Sequence, residues 1–477
     1  MAAIITNKFR IHNAQSFREG FSEVADTKMY LGIGRPQNWA DENSPDTPYD
    51  TVASEYYNWD DMLALKRVQS TDVSLAVVRR NWTTGKYYDI YRHDYDGITT
   101  GVNIDSGATT TPASLFDSNF YVITDEYNVY KCIKNTSNGT VIPSTVKPTG
   151  TGTGIINTSD GYEWKYMYTV APADVLKFVS TDFIPVKTLG SNPGNTDSYY
   201  AQWLVEDAAI DGGIDRIVVT DFGSNYNRPA SEILVTIIGD GAGATANVVV
   251  ADNQVKEVVM TNRGAGYTWA RVVIADPDQG SGVAEATAII SPKGGHGKDA
   301  TEELGGFYVM MNVRLEYDDG AGDFPVDNDY RRIMLVRDPL NFGTNTVASN
   351  VTLISNRTIS YSAVSGTFAL DEEFKGLTSG ARGRIVSLNT GATPKTLRYV
   401  QTKEDGTTLN PVDATTGRLF QNGETIVGST TGAQGTITGI TNPDVQADSG
   451  DIIYVENRRP INRAGDQIED IKIIVEM

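Results

Sequence analysis

Three histidines, His12, His93 and His296, are the side chains that could move protons near neutral pH, and none stands in a motif with a serine or cysteine nucleophile. The run Asp318-Asp319-Gly320-Ala321-Gly322-Asp323-Phe324-Pro325-Val326-Asp327-Asn328-Asp329 gathers five carboxylates that could ligate calcium through oxygen. Its spacing departs from the Asp-x-Asp-x-Asp-Gly loop and Pro325 interrupts it, so the 318–329 stretch reads as an acidic turn between strands. Lys293-Gly294-Gly295-His296-Gly297-Lys298-Asp299 offers backbone N–H groups and Lys298 to a phosphate. A phosphate loop needs Gly-x-x-x-x-Gly-Lys-Ser/Thr, however, and here Pro292 takes the first glycine position and Asp299 the hydroxyl position. The segment therefore reads as a flexible hinge. Cys132 is the one cysteine, which excludes an intrachain disulfide and an all-cysteine metal site; within Tyr127–Ile133 it reads as a small buried side chain. No carboxylate pair stands out among 60 acidic residues, so the chain reads as non-enzymatic, with no catalytic residue, cofactor or metal.

Two aromatic segments suggest adhesion instead. Arg79-Arg80-Asn81-Trp82 with Tyr87, Tyr88, Tyr91 and Arg92, and Tyr162-Glu163-Trp164-Lys165-Tyr166-Met167-Tyr168, combine the residue types that dominate protein–protein hot spots. The competing reading is a strand whose aromatics fill a core, since Tyr162, Trp164, Tyr166 and Tyr168 alternate onto one face.

These residues need a scaffold, and the composition says what kind. A chain of 477 residues with 40% hydrophobic and 21% charged residues is globular and exceeds one ordinary domain. Its 46 glycines and 24 tyrosines favour strands joined by tight turns. A formal charge of −20 argues against wrapping nucleic acid, and no apolar run is long enough to span a membrane. Met1–Ile5 is too short an apolar run for a signal peptide, so folding in a reducing cytosol is expected.

Internal repeats organise the chain. Ile214–Tyr226 recurs as Val255–Tyr267, 41 positions on, each copy ending in a Gly-x-x-Tyr turn followed by a second strand and a Gly-x-Gly turn. Phe368–Ile385 recurs as Phe420–Ile437, 52 positions on, with Glu372, Gly376, Gly380, Ala381 and Gly383 matching Glu424, Gly428, Gly432, Ala433 and Gly435. We therefore expect a mainly β, multidomain fold with few short helices. Its β-sandwich-like core would be discontinuous, 1–204 with 292–349 and 443–477, carrying inserted β-modules at 205–291 and 350–442. Phe307–Glu316 is expected to be a strand with one buried face and Ile333–Val336 a covered one. Helices are expected at Ser16–Val24 and at Asp60–Val68, the latter acidic at its start and basic at its end, and a long surface loop over 32–59.

The chain closes on Gly450-Asp451-Ile452-Ile453-Tyr454-Val455-Glu456-Asn457-Arg458-Arg459-Pro460-Ile461, two β-type runs about a polar connector, and then on alternating Ile471, Ile473, Val475 and Met477. This ending resembles the baseplate wedge subunit family, gene product eight, of T-even-type contractile bacteriophages. Thr6-Asn7-Lys8-Phe9-Arg10, the Arg79–Trp82 block with Tyr87 and Tyr88, Asp160–Tyr166, and Arg331-Arg332-Ile333 with Asp338-Pro339-Leu340 agree in the same order. Arg459 stands where the family has a second proline. The resemblance implies a structural component of a tail baseplate, in the virion and assembled in the host cytoplasm. It would join neighbouring wedge proteins and a peripheral fibre-bearing protein, form a homodimer, and transmit baseplate rearrangement. Arg79, Arg80, Trp82, Tyr454, Glu456, Asn457, Arg458 and Pro460 are the expected interface residues. The alternative is a carbohydrate- or receptor-binding tail protein that grips sugars through turn aromatics such as Tyr226 and Tyr267.

Overall fold

The β-rich composition is expressed as antiparallel sheets joined by short turns, with five α-helices among the described residues. The computed structural model describes residues 3–22, 27–276, 282–316, 324–326, 328–400, 419–464 and 467–477. The chain forms two units, each discontinuous in sequence: Met1–Phe17 with Ser74–Met310 and Ile474–Met477, and Arg18–Val73 with Met311–Ile473.

The second unit is built on a five-stranded sheet in the order Thr352–Ile354, Met62–Arg67, Met29–Gly34, Asp329–Arg337, Asp451–Asn462. Every residue of Met29–Gly34 is buried, as a central strand covered on both faces requires. Met62–Arg67 lies where the sequence suggested a helix. Its Met-Leu-Ala-Leu run has high helical propensity, but Met62, Leu63, Ala64 and Leu65 are all buried in the sheet, and tertiary burial outweighs a preference worth tenths of a kcal/mol per residue, about 0.5 at most. The nearby helix is instead Val52–Asp60, inside the expected surface loop. Its start is fixed by a reciprocal cap in which Ser54 N donates to Thr51 Oγ1 at 3.1 Å and Thr51 N to Ser54 Oγ at 2.9 Å, and its Trp59 is buried.

From the same unit rises a closed six-stranded barrel in the order Arg357–Ser365, Lys395–Val400, Arg382–Asn389, Glu373–Gly376, Thr425–Gly428, Gln434–Thr441. The repeated residues meet as equivalents: Lys375 pairs with Val427, its own counterpart 52 positions on. Glu372 accepts from Thr430 N at 2.8 Å, Thr431 N at 2.6 Å and Thr431 Oγ1 at 2.9 Å. Glu424 reciprocates with Thr378 N at 3.1 Å, Ser379 N at 3.0 Å and Ser379 Oγ at 2.9 Å. Each carboxylate is packed against the glycine of the other repeat, Gly428 or Gly376, where a Cβ would collide with it. The interior is filled by Tyr361, Phe368, Phe374, Tyr399 and Phe420, the last stacked on Phe374 at 4.8 Å.

In the first unit, Ile155–Asn157, Glu163–Thr169, Asn128–Lys134 and Tyr121–Ile123 form one sheet. Tyr162, Trp164 and Tyr166 are fully buried with Tyr88, Tyr130 and Cys132, so that aromatic run fills a core. A bulge at Met167 breaks the alternation before Tyr168, whose hydroxyl donates to Pro185 O at 2.9 Å. The 41-residue repeats exchange their parts. Ile214–Asp221 pairs with Gln254–Ala265 through the equivalent residues Ile217 and Val258, and each takes its second neighbour from the other copy's last strand, Glu285–Ile290 or Ala242–Ala251. The helix Asn7–Glu19 begins earlier than the Ser16 suggested by the sequence. Its Arg10 reaches the far end of the chain, donating from Nε to Met477 O at 2.6 Å, pairing with Glu476 and stacking 3.8 Å over Phe307. Ile474 packs with Phe178 and Met310 in the same unit.

Candidate functional site

Asp451–Asn462 is one continuous strand of 12 residues, and the Glu-Asn-Arg-Arg-Pro segment read as a connector lies inside it. It is tolerated because the strand is the edge of its sheet and its ladder is irregular there: pairing passes from Arg332 with Asn457 to Tyr330 with Ile461, leaving Arg458, Arg459 and Pro460 out of register. An edge bulge is where a residue without a backbone N–H does least harm. Tyr454, Glu456 and Arg458 share a face. The Tyr454 hydroxyl donates to Glu456 Oε2 at 2.8 Å, and Arg458 clasps the same carboxylate at 2.7 and 3.1 Å. Asn457 points the other way, accepting from Arg332 Nε at 2.8 Å and donating to Asp46 O at 2.7 Å. Trp39 Nε1 donates to Arg458 O at 2.8 Å, so the chain around residues 39–46 straps the second half of the strand.

Arg79, Arg80 and Trp82 form a separate group in the first unit. Arg79 bonds Asn81 Oδ1 at 2.8 Å and Ser180 O at 2.7 Å; Arg80 bonds Asn119 and, at 3.0 Å, Phe116 O. Both guanidinium groups therefore brace their own unit. Trp82 donates to Ser144 Oγ at 3.1 Å and lines a surface hollow of about 490 Å³ with Lys147 and Asp125.

The 293–299 segment and Cys132 have structural partners. In the 293–299 segment Gly295, His296 and Gly297 are buried, which is not how a flexible hinge sits. Its amides are taken by an internal anion: Gly297 N and Asp299 N donate to Glu303 at 2.8 and 3.1 Å, and the wholly buried Lys131 pairs with the same carboxylate. Asp299 caps the short helix Ala300–Leu304 by accepting from Glu302 N at 3.0 Å. His296 Nε2 lies 3.1 Å from Asp215 Oδ2, and Arg263 lies 2.7 Å from Asp215 Oδ1. Burial, then the neighbouring Lys131, Lys165 and Arg263, hold His296 well below its ordinary pKa and so neutral. Burial likewise pushes the Cys132 thiol up, opposite to an activated nucleophile. The acidic 318–329 stretch falls mostly on 317–323 and 327, outside the described residues. Tyr226 and Tyr267 are 1% and 4% exposed, their hydroxyls accepting from Ala284 N at 2.8 Å and Ala244 N at 3.4 Å, so neither offers a face to a sugar.

A buried charge cluster in the second unit was not anticipated. Arg35 pairs with Asp329 and, at 2.7 Å, with Asp371; Arg331 bridges Asp329 and Glu42 at 2.8 and 2.6 Å; Arg332 holds Asp61 at 3.1 Å. Arg384 donates to Arg35 O, tying the barrel to the sheet. The only sequence signal was the Arg331-Arg332 pair within a β-type run; Asp329 apart, the partners lie hundreds of positions away and leave no local pattern.

The family model described as Bacteriophage T4, Gp8 matches residues 3–146 and 425–477. A curated relative, the baseplate wedge protein gp8 of Enterobacteria phage T4, is 23% identical over 201 residues, 39% of this chain and 60% of the relative. The match thus spans less than two thirds of the relative's own length. The resemblance read from the sequence is shown over these stretches, which hold the Thr6–Arg10, Arg79–Trp82 and 450–461 blocks. The Asp160–Tyr166 and Arg331–Leu340 blocks, and the whole of 205–291, fall outside them.

Proposed function

We propose that this chain, similar at both its ends to the Gp8 baseplate wedge proteins, is a structural subunit of a contractile phage tail baseplate. The observation that carries the reading is that the two matched stretches, remote in sequence, supply both the Arg10 helix and the closing strand to which it is bonded. A family pattern spread over two chain ends describes a scaffold rather than a grafted site. In this reading the protein works in the virion through contacts with other baseplate proteins and has no catalytic step. The finer proposals are a homodimer, contact with a fibre-bearing peripheral protein, transmission of baseplate rearrangement, and inserted modules at 205–291 and 350–442 that bridge to further partners. The surface hollow beside Trp82 and the edge of Asp451–Asn462 left unpaired among the described residues, rather than the internally bonded Arg79 and Arg80, are where this reading places the contacts.

The test is co-expression of the full chain with the other wedge proteins of its phage. Recovery of a stoichiometric complex is expected. A chain that remains alone at micromolar concentration with every wedge protein, yet binds a glycan array, would replace this reading with the receptor-binding one.

A further inference from the structure

In the second unit a groove of about 660 Å³ runs between residues 48–58 and the first half of the edge strand. Its strand wall is made by Ile452, Ile453, Tyr454 and Val455 in succession. Consecutive strand residues point to opposite faces, so a cavity touching all four lies along the backbone edge. No strand pairs with that edge among the described residues. The strap that holds Asn457 and Arg458 does so only downstream of the groove. A bulge in the ladder at Ile453 turns its side chain outward, 41% exposed. Across the groove Tyr49 and Val52 are 77% and 73% exposed, large apolar groups standing in water on the opposite wall. The lining also carries the carboxylates of Asp50 and Glu55 and no lysine or arginine.

We propose that this groove docks an extended segment of another protein, alternately apolar and cationic, which adds as a strand to the outer edge of Asp451–Asn462. Main-chain pairing at an exposed edge supplies binding energy independent of sequence, and period-two side chains supply selectivity. Here one face of the incoming strand meets Tyr49, Val52 and Ile453, while its lysine or arginine side chains meet Asp50 and Glu55. An anionic segment would bring like charges together in the groove and is rejected. The inference stands on this geometry and not on the family reading.

The experiment titrates the full chain against a fluorescein-labelled ten-residue peptide alternating valine and lysine, and against its valine–glutamate counterpart, by fluorescence anisotropy. The lysine peptide is expected to bind at least about tenfold tighter, the weight of one or two complementary charge contacts. Val52→Lys should weaken it by about the same factor, whereas Asp207→Asn, the same charge change on an exposed helix end of the first unit, should change it less than about twofold. Hydrogen exchange at 452–456 should slow in the complex. Equal binding of the two peptides, equal effects of the two substitutions, or unchanged exchange along 452–456 would each overturn the proposal.

Discussion

Asp60 ends the helix Val52–Asp60, where the helix dipole already disfavours a negative charge. Burial, then the neighbouring Asp61 and Asp448, raise its pKa to about 7. Its folded pKa exceeds the unfolded value of about 4, so the folded state binds the extra proton between those values and stability falls as pH rises from about 4 through about 7. Asp60→Asn is therefore expected to raise the thermal midpoint at pH 8 by a few degrees, about 1–2 kcal/mol, and to do little at pH 5. Scanning calorimetry of both proteins at the two pH values checks this; a gain equal at both would refute it. Lys131 and Glu303 form a buried pair in the first unit, and removing one partner strands the other. Glu303→Gln should cost about 3–5 kcal/mol in urea unfolding, and the double variant with Lys131→Met less than the two single costs together.

At the scale of elements, the barrel repeats impose a symmetric demand. Gly376 and Gly428 each face the buried carboxylate of the opposite repeat, so alanine at either position must displace a group fixed by four donors, three from the opposite turn and Ala369 N or Gln421 N from its own. Each substitution is expected to cost about 2–3 kcal/mol, and the two should agree within about 1 kcal/mol, measured by denaturant midpoints. Tolerance of either alanine would mean that the carboxylate turns are dispensable. Burial opposes ionisation of Glu372, but the donors of Thr431, Ala369 and Thr430 outweigh it and leave the carboxyl below its ordinary range. That contribution is present above about pH 4.5 and lost as pH falls through the lower folded value, so the barrel is expected to lose stability in acid.

For the molecule as a whole, the barrel leaves and re-enters its unit at one place. Ile354 N and Asp444 N are bonded to Asp444 Oδ2 and Ile354 O at 2.9 and 2.8 Å, so a short glycine–serine link across the gap strains nothing. Excision of 358–441 is expected to leave the five-stranded sheet folded by circular dichroism, yet less stable because Arg35 and Asp61 lose Asp371 and Arg384. In co-purification the excised chain should bind wedge proteins more weakly. Unaltered assembly would remove any bridging role for this module.

Much was decided in the sequence by local pattern. Alternation marked the closing strand Glu469–Glu476 and the existence of Tyr308–Leu315, although the latter is buried on both faces from Val309 to Val313, Met310 and Asn312 included, where one buried face was expected; glycine-punctuated repeats marked residues whose reciprocal turns demand them. What was misread was helix against strand at 60–68, the helix within 32–59, the buried 293–299 loop and the continuity of Asp451–Asn462. The helix is the exception, since its Thr51–Ser54 cap is local and was legible; in the others the outcome depends on which remote segment lies beside the residue: Met62–Leu65 become a strand because 30–34 and 352–354 flank them. Glu303 fills the amide loop because Lys131 lies beneath it. The open edge beside Tyr49 and Val52 belongs to the tertiary structure alone, since only strand order decides which strand is left unpaired.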